Sequence, residues 1–159
     1  MNLAALWIAV RNRLLADTAA GGLFAPGATL ITGVFENFVP ETQQAPFIVY
    51  DVESAVNEDA FRTAVYPVLF RISVYVDADV VPSTAASEKA ATIINRVRGD
   101  WEAQTYGTQP GYGLTRFRPT LTGNWTADIF EHRESRALHE SGTLHYVESY
   151  RTYMSRAGA

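Results

Sequence analysis

An α+β fold is predicted by this sequence: a mainly antiparallel β-sheet, two principal helices packed on one face, and a C-terminal β-hairpin. Three observations carry that reading. Leu3, Leu6, Trp7, Val10 and Leu14 recur at helical spacing, which puts them on one face of a helix. Val68, Phe70, Ile72, Val74 and Val76 alternate with Leu69, Arg71, Ser73 and Tyr75, the period of a strand. The order of elements, helix, strand, strand, helix, strand, strand, is that of an α+β layer.

The first helix opens the chain, with Asn2 as a candidate N-cap and Ala19-Ala20-Gly21-Gly22 as its expected stop. Residues Leu23 to Pro46 read as an irregular connection containing a short β-like run, Thr29 to Phe35. Phe47 to Val52 is β-branched and aromatic and reads as a strand. Glu53 to Arg62 is polar and reads as a hairpin loop. The strand from Val65 to Val76 follows. Pro67 near its start points to an edge position or a bulge.

Pro82-Ser83-Thr84 opens the second helix, with Ser83 or Thr84 as its cap. Ala86, Ala90, Ile93 or Ile94, Val97 and Trp101 follow helical spacing, and Ala90 permits close approach to a sheet. Arg96 and Arg98 suit the C-terminal end of the helix dipole. Gln104 to Gly123 holds four glycine or proline breaks before Pro119 and reads as a long loop or arm, a length often tied to function. Trp125 to Leu138 and Thr143 to Met154 form the closing hairpin around His139-Glu140-Ser141-Gly142, where Gly142 supplies a positive φ. The last strand carries aromatic surface on both faces, so it is either central or covered by a neighbouring subunit.

With 159 residues the chain suits a single domain, 1–159, large enough to need no disulfide or metal staple. It has no cysteine, which removes thiol nucleophiles and thiolate metal sites. No apolar run reaches the length of a membrane helix, so no membrane partner is expected. Net charge is −4, and twelve of the thirteen cations are Arg, with Lys89 the exception. Arginine is favoured where a planar fork pairs with carboxylates at an interface, although a G+C-rich genome gives the same bias. Residues 36 to 79 hold eight acids against Arg62 and Arg71. Such a stretch repels nucleic acid.

Candidates for chemistry are few, and no catalytic, cofactor-binding or metal residue is assigned. His132 and His145 could join Glu131 in a metal site, but neighbouring strand residues point to opposite faces. By the same rule Glu131 and Glu134, three apart, face opposite sides and make no acid/base pair. Gly107-x-x-x-Gly111-x-Gly113 lacks the Lys and hydroxyl of a phosphate loop and opens no helix. Ser83, Ser87 and Ser141 lack the context of a nucleophile elbow. Glu58-Asp59 reads as a solvated loop tip. Nineteen Trp, Tyr and Phe residues with so little chemistry suggest contact surface instead. Tyr106, Tyr112, Tyr146, Tyr150 and Tyr153 are the candidates for a subunit or partner interface.

The order Val39-Pro40, Ala45-Pro46-Phe47-Ile48-Val49-Tyr50, then Phe70-Arg71-Ile72-Ser73-Val74-Tyr75-Val76, a helix over Ala85 to Val97, and a finish in Gly142-Thr143-Leu144-His145-Tyr146 resembles the tail terminator, or tail completion, proteins of long-tailed bacteriophages. The long N-terminal connector and the 104–123 segment depart from that pattern. The resemblance implies a non-enzymatic virion protein, assembled in the host cytoplasm. It implies a hexameric ring that caps the tail tube, stops its polymerisation and meets the head-completion or neck proteins, with genomic DNA passing through the lumen. Glu53, Glu58 and Asp59 would then line or fringe the channel. The loops Glu53 to Arg62 and Gln104 to Gly123 would contact tube or neck partners. Two competing readings are another neck or tail component, such as a head-tail connector or a tube relative, and a small-ligand enzyme or binding domain with a pocket formed by Trp101, Trp125 and nearby tyrosines.

Overall fold

A computed structural model describes residues 3–55, 65–77, 83–99, 112–140 and 142–156. Two helices lie on one side of a six-stranded, mostly antiparallel sheet, the α+β architecture expected. Helix α1, Leu3–Leu15, buries Ala5, Leu6, Trp7, Val10 and Leu14. The helix ends at Leu15, before the expected glycine stop. Asp17 then turns inward, 3% exposed, and accepts the backbone N–H of Leu23 at 3.0 Å. Gly21 has φ 74 in the turn that follows.

The strands are β1 (Val34–Glu36), β2 (Phe47–Ala55), β3 (Val65–Asp77), β4 (Trp125–Ala127), β5 (Glu131–Glu140) and β6 (Thr143–Arg156). The β-like run of the connector contributes only three residues, and β1 pairs with β2 in parallel, Val34 opposite Ile48. Strands β2 and β3 pair antiparallel, as do β3 and β6. Strand β3 is therefore central. The irregularity that Pro67 suggested falls on its neighbour instead: the β2 register shifts between Val52 and Ser54, a bulge at Glu53.

The first arm of the closing hairpin is not one strand. It breaks at 128–130 into β4 and β5, which occupy successive stretches of the same β6 edge. The turn is tighter than expected, because Glu140 already pairs with Thr143; Gly142 has φ 80. With β3 on one side and β4 and β5 on the other, β6 is central, which explains its two apolar faces.

Alternation then sorts the residues. Val68, Phe70, Ile72, Val74 and Val76 are all buried at 2% exposure or less beneath helix α2, Ser83–Arg98. Ala86 and Ala90 are fully buried and let α2 approach β3 and β6, its neighbours across the core. Helix α1 covers the β1 end, with Trp7 tilted on Tyr50 at 5.3 Å between ring centroids. Phe70 packs edge-on against Phe130 and stacks on Tyr150, at 4.7 and 5.5 Å. The opposite face of the sheet carries no helix among the described residues.

Candidate functional site

Two constellations stand out, one under the helices and one on the open face. Under the helices, Glu148 on β6 is completely buried. It has the same strand phase as Leu144 and Tyr150, so the sheet delivers its carboxylate to the core. Arg98, in the last turn of α2, donates from Nε and Nη2 to that carboxylate at 3.0 to 3.2 Å. His132 on β5 brings Nε2 within 2.6 Å of Glu148 Oε2. Ser135, one turn of the pleat further on, accepts from Arg98 at 2.8 Å and lies 3.2 Å from His132 Nε2.

Serine, histidine and glutamate in contact invite a catalytic reading, and the geometry excludes it. Both Ser135 and Glu148 approach the same ring nitrogen. A nucleophile relay needs the acid on the opposite nitrogen, so that one holds the proton the other receives. The cluster instead ties edge strand β5 to helix α2 through a buried carboxylate. Nearby, the Tyr150 hydroxyl faces that of Thr115, and neither has another hydrogen-bond partner among the described residues. Burial first, and the Glu148 charge second, push the Tyr150 phenol above its ordinary range.

A second buried pair anchors the chain after α2. Arg96 donates to both oxygens of Asp17, at 2.7 and 2.5 Å, and this pairing holds the Arg96 guanidinium above its usual value. Its other face lies on the Tyr112 ring, 3.4 Å from the centroid. Arg13 of α1 donates to the carbonyls of Tyr112 and Gly113 at 3.1 and 3.0 Å and lies over Phe117. Gly113, with φ 78, sits so close to Gly99 that an added Cβ would collide with the Gly99 backbone. Arg96 and Arg98, read from sequence as companions of the helix dipole, are the partners of two buried acids.

The open face is ordered in cross-strand rows. Phe47 stacks on Tyr75 at 5.0 Å, and Tyr75 on His145 at 4.2 Å; Phe35 meets Phe47 edge-on. These rings turn their faces to one another, so they do not offer a flat platform for stacking bases. Next come ion-pair rows. Arg71 holds Asp51 in a two-bond fork at 2.9 and 2.8 Å, and Arg151 holds Glu131 at 3.1 and 2.6 Å. Between them lies a depression of about 460 Å³ lined by Glu53, Pro67, Leu69, Arg133, Glu134, Ser149 and Arg151. Its lining combines two acids and two arginines with Pro67 and Leu69.

The residues singled out from sequence are dispersed. Glu53 is exposed, at the bulge beside this depression. Glu58, Asp59, Tyr106 and Trp101 lie outside the described residues, as does the part of the 104–123 segment before Tyr112. Tyr112 is half-buried against Arg96. Tyr146 is half-buried at the margin of the core. Tyr150 is fully buried in the chain's own core, so its ring cannot meet a partner. Tyr153 is on the open face, 5.2 Å from the Arg151 guanidinium. Trp125 packs on Tyr66. His145 and Glu131 are on the open face while His132 faces Glu148. Among the described residues no three His, Asp or Glu side chains gather as a metal site. The β5 register shifts between His132 and Glu134, and this corrects one reading. Glu131 and Glu134 oppose Arg151 and Ser149, so the bulge at Arg133 puts both on the same face.

No family model matches the chain, and no curated protein matches it. Among solved structures, a chain described as "Virion of native gene transfer agent (GTA) particle" superposes with a TM-score of 0.64 over 96% of each chain, at 16% identity; the likeness is one of fold.

Proposed function

We propose that this chain is a structural component of a phage-like virion. It acts as a ring that caps the tail tube, stops its polymerisation and joins the tail to the neck. The observation that carries this reading is the full-length likeness of fold to a chain of a gene transfer agent virion. That likeness supports a virion role; the ring and its place on the tail tube rest on the order of sequence segments, which resembles the tail terminator family. The chemistry agrees: the Ser-His-Glu contact found among the described residues is wired as a structural tie, and the open face carries aromatic rows and paired ions.

In this reading the chain forms a closed circle of copies through which DNA passes without sequence-specific contact. Glu53 sits on the exposed bulge of β2, and with Glu58 and Asp59 it fringes the channel. Tyr112 and Tyr153, with the edge of Tyr146, contribute to contacts with other copies, with the tube or with neck proteins. No helix among the described residues is long and apolar enough to cross a membrane.

The test is removal of the chain from producing cells. Tails of uncontrolled length and heads left unjoined are expected by electron microscopy, and labelled chain should map to the junction of head and tail. Particles that assemble and join normally without it would overturn the reading.

A further inference from the structure

The two bulges of the sheet flank a single row. Phe70 pairs with Tyr150 across the centre. On one side β2 shifts register between the partners of Phe70 and Leu69, which leaves Glu53 in the bulge. On the other side β5 shifts between the partners of Tyr150 and Ser149, which leaves Arg133 in the bulge. A bulge bends its strand and re-aims the extra side chain. Glu53 and Arg133 thus stand on opposite rims of the open-face depression of about 460 Å³, with Pro67, Leu69 and Ser149 between them. Sites that enclose a ligand group run from about 300 to 1,000 Å³.

Two features distinguish this place from ordinary surface. Ser149 is only 5% exposed. Its hydroxyl has no hydrogen-bond partner among the described residues and is not sealed from solvent, and Ser149 lines the depression. A nearly buried hydroxyl with nothing to bond is unfavourable, and a guest that reaches it relieves that. The second feature is the charge left over once the pairs are made. Arg151 is held by Glu131, and Glu134 by Arg136. Arg71, whose guanidinium feels the Glu53 charge, is held in a fork by Asp51. Arg133 has only a loose pair with Glu131, at 3.9 Å. Glu53 has no ion pair or hydrogen bond among the described residues. The β2 rim therefore offers an unpaired carboxylate, and the β5 rim a loosely held donor.

We infer that this depression is a socket for an arginine side chain of a partner polypeptide. The guanidinium meets Glu53, whose two oxygens match its planar fork. The methylene stem lies across Pro67 and Leu69. The Ser149 hydroxyl accepts one of the remaining N–H groups. Arg133, on the far rim, donates to a main-chain carbonyl of the partner. A guest carboxylate would face Glu53 and Glu134, and a lysine would bring a point charge without the fork. The inference rests on the reading above only for the partner's place in the particle, where Glu53 fringes the channel beside the tube and neck proteins; the socket belongs to the single chain and needs no ring.

The test is an NMR titration of the isotope-labelled full chain at low salt with arginine blocked at both ends, N-acetyl-arginine amide. Saturable shifts of the Glu53, Leu69 and Ser149 amides are expected with a dissociation constant of about 1–10 mM, suited to one side chain taken alone. Blocked norleucine, which has the stem without the cation, and blocked glutamate should each bind at least about tenfold more weakly. Glu53→Gln, at an exposed position, should weaken the arginine by about tenfold, and Arg133→Ala by about threefold; the spectrum of each variant reports its fold. Norleucine or glutamate binding as well as arginine overturns the socket. So does Glu53→Gln titrating like the parent, or the absence of any saturable shift at these residues. Free arginine binding about tenfold more tightly than the blocked form overturns the polypeptide partner in favour of a small-molecule site. None of these outcomes touches the ring, which the removal experiment tests.

Discussion

The two faces of the sheet use the same chemical pair, an arginine fork on a carboxylate, to opposite ends. Under the helices Glu148 and Asp17 are 0% and 2% exposed at their side chains, and Arg98 and Arg96 enclose them. On the open face Asp51 and Glu131 are 28% and 43% exposed, with Arg71 and Arg151 at 37% and 32%. Distances in the two sets overlap, so geometry alone does not separate them. Water does. A buried carboxylate has already lost its hydration and depends on its arginine, whereas an exposed one can exchange its arginine for solvent or for another molecule. The inner pairs fix the positions of α2, β5 and the chain after α1. The outer pairs keep a contact surface soluble while leaving it free to re-pair.

The largest expected effect attacks the inner set. Arg98→Ala should lower unfolding free energy by about 3–5 kcal/mol, because the fully buried Glu148 carboxylate loses its arginine fork and keeps the His132 ring nitrogen in its place; a loss below about 1 kcal/mol in urea unfolding would erase the difference between the faces. The double variant Arg98→Leu with Glu148→Leu should recover most of that loss, since no charge is then left unpaired. Arg96→Ala should cost somewhat less, about 2–3 kcal/mol, because Asp17 keeps the Leu23 N–H.

A pH titration sharpens the comparison further. The Tyr150 phenol is raised in the folded state above its ordinary 10.0 by burial. The folded protein therefore holds a proton that the unfolded chain releases, and stability is complete below about pH 10 and declines as pH rises above it. Tyr150→Phe should remove that share of the alkaline decline and change stability near neutral pH by about 1 kcal/mol or less. The smallest effect belongs to the open face. Arg71→Ala should cost under about 1 kcal/mol, and the difference should shrink further in high salt.

Much of the scaffold was legible because apolar periodicity is a strong signal. The α1 face and the whole of β3 came directly from it, and Ala90 marked where α2 meets the sheet. The parallel pairing of β1 was not, because three residues carry no period. The break into β4 and β5 was hidden as well, since Asp128 to Phe130 contains neither Gly nor Pro. The bulge at Arg133 inverted the expected facing of Glu131 and Glu134, and nothing local announces a bulge of that kind. One missed feature did leave a trace. Glu148 shares the phase of Leu144, Tyr146, Tyr150 and Thr152, so an acid on the apolar face of a central strand could have been matched with the arginines ending α2. The aromatic reading was partly misled for the converse reason: Tyr150 and Tyr146 are on that same inward phase, and only Tyr153 has the outward one.

The close approach of Gly99 and Gly113 makes one join between the end of α2 and the segment that carries Tyr112 and Leu114. Leu114 and Thr115 donate to the carbonyls of Val97 and Arg98 at 2.8 and 2.9 Å, so the last turn of α2 is hydrogen-bonded directly to this segment. A side chain at Gly113 would therefore push the end of α2 away from the segment that Arg13 and Arg96 hold, and loosen both helices at once.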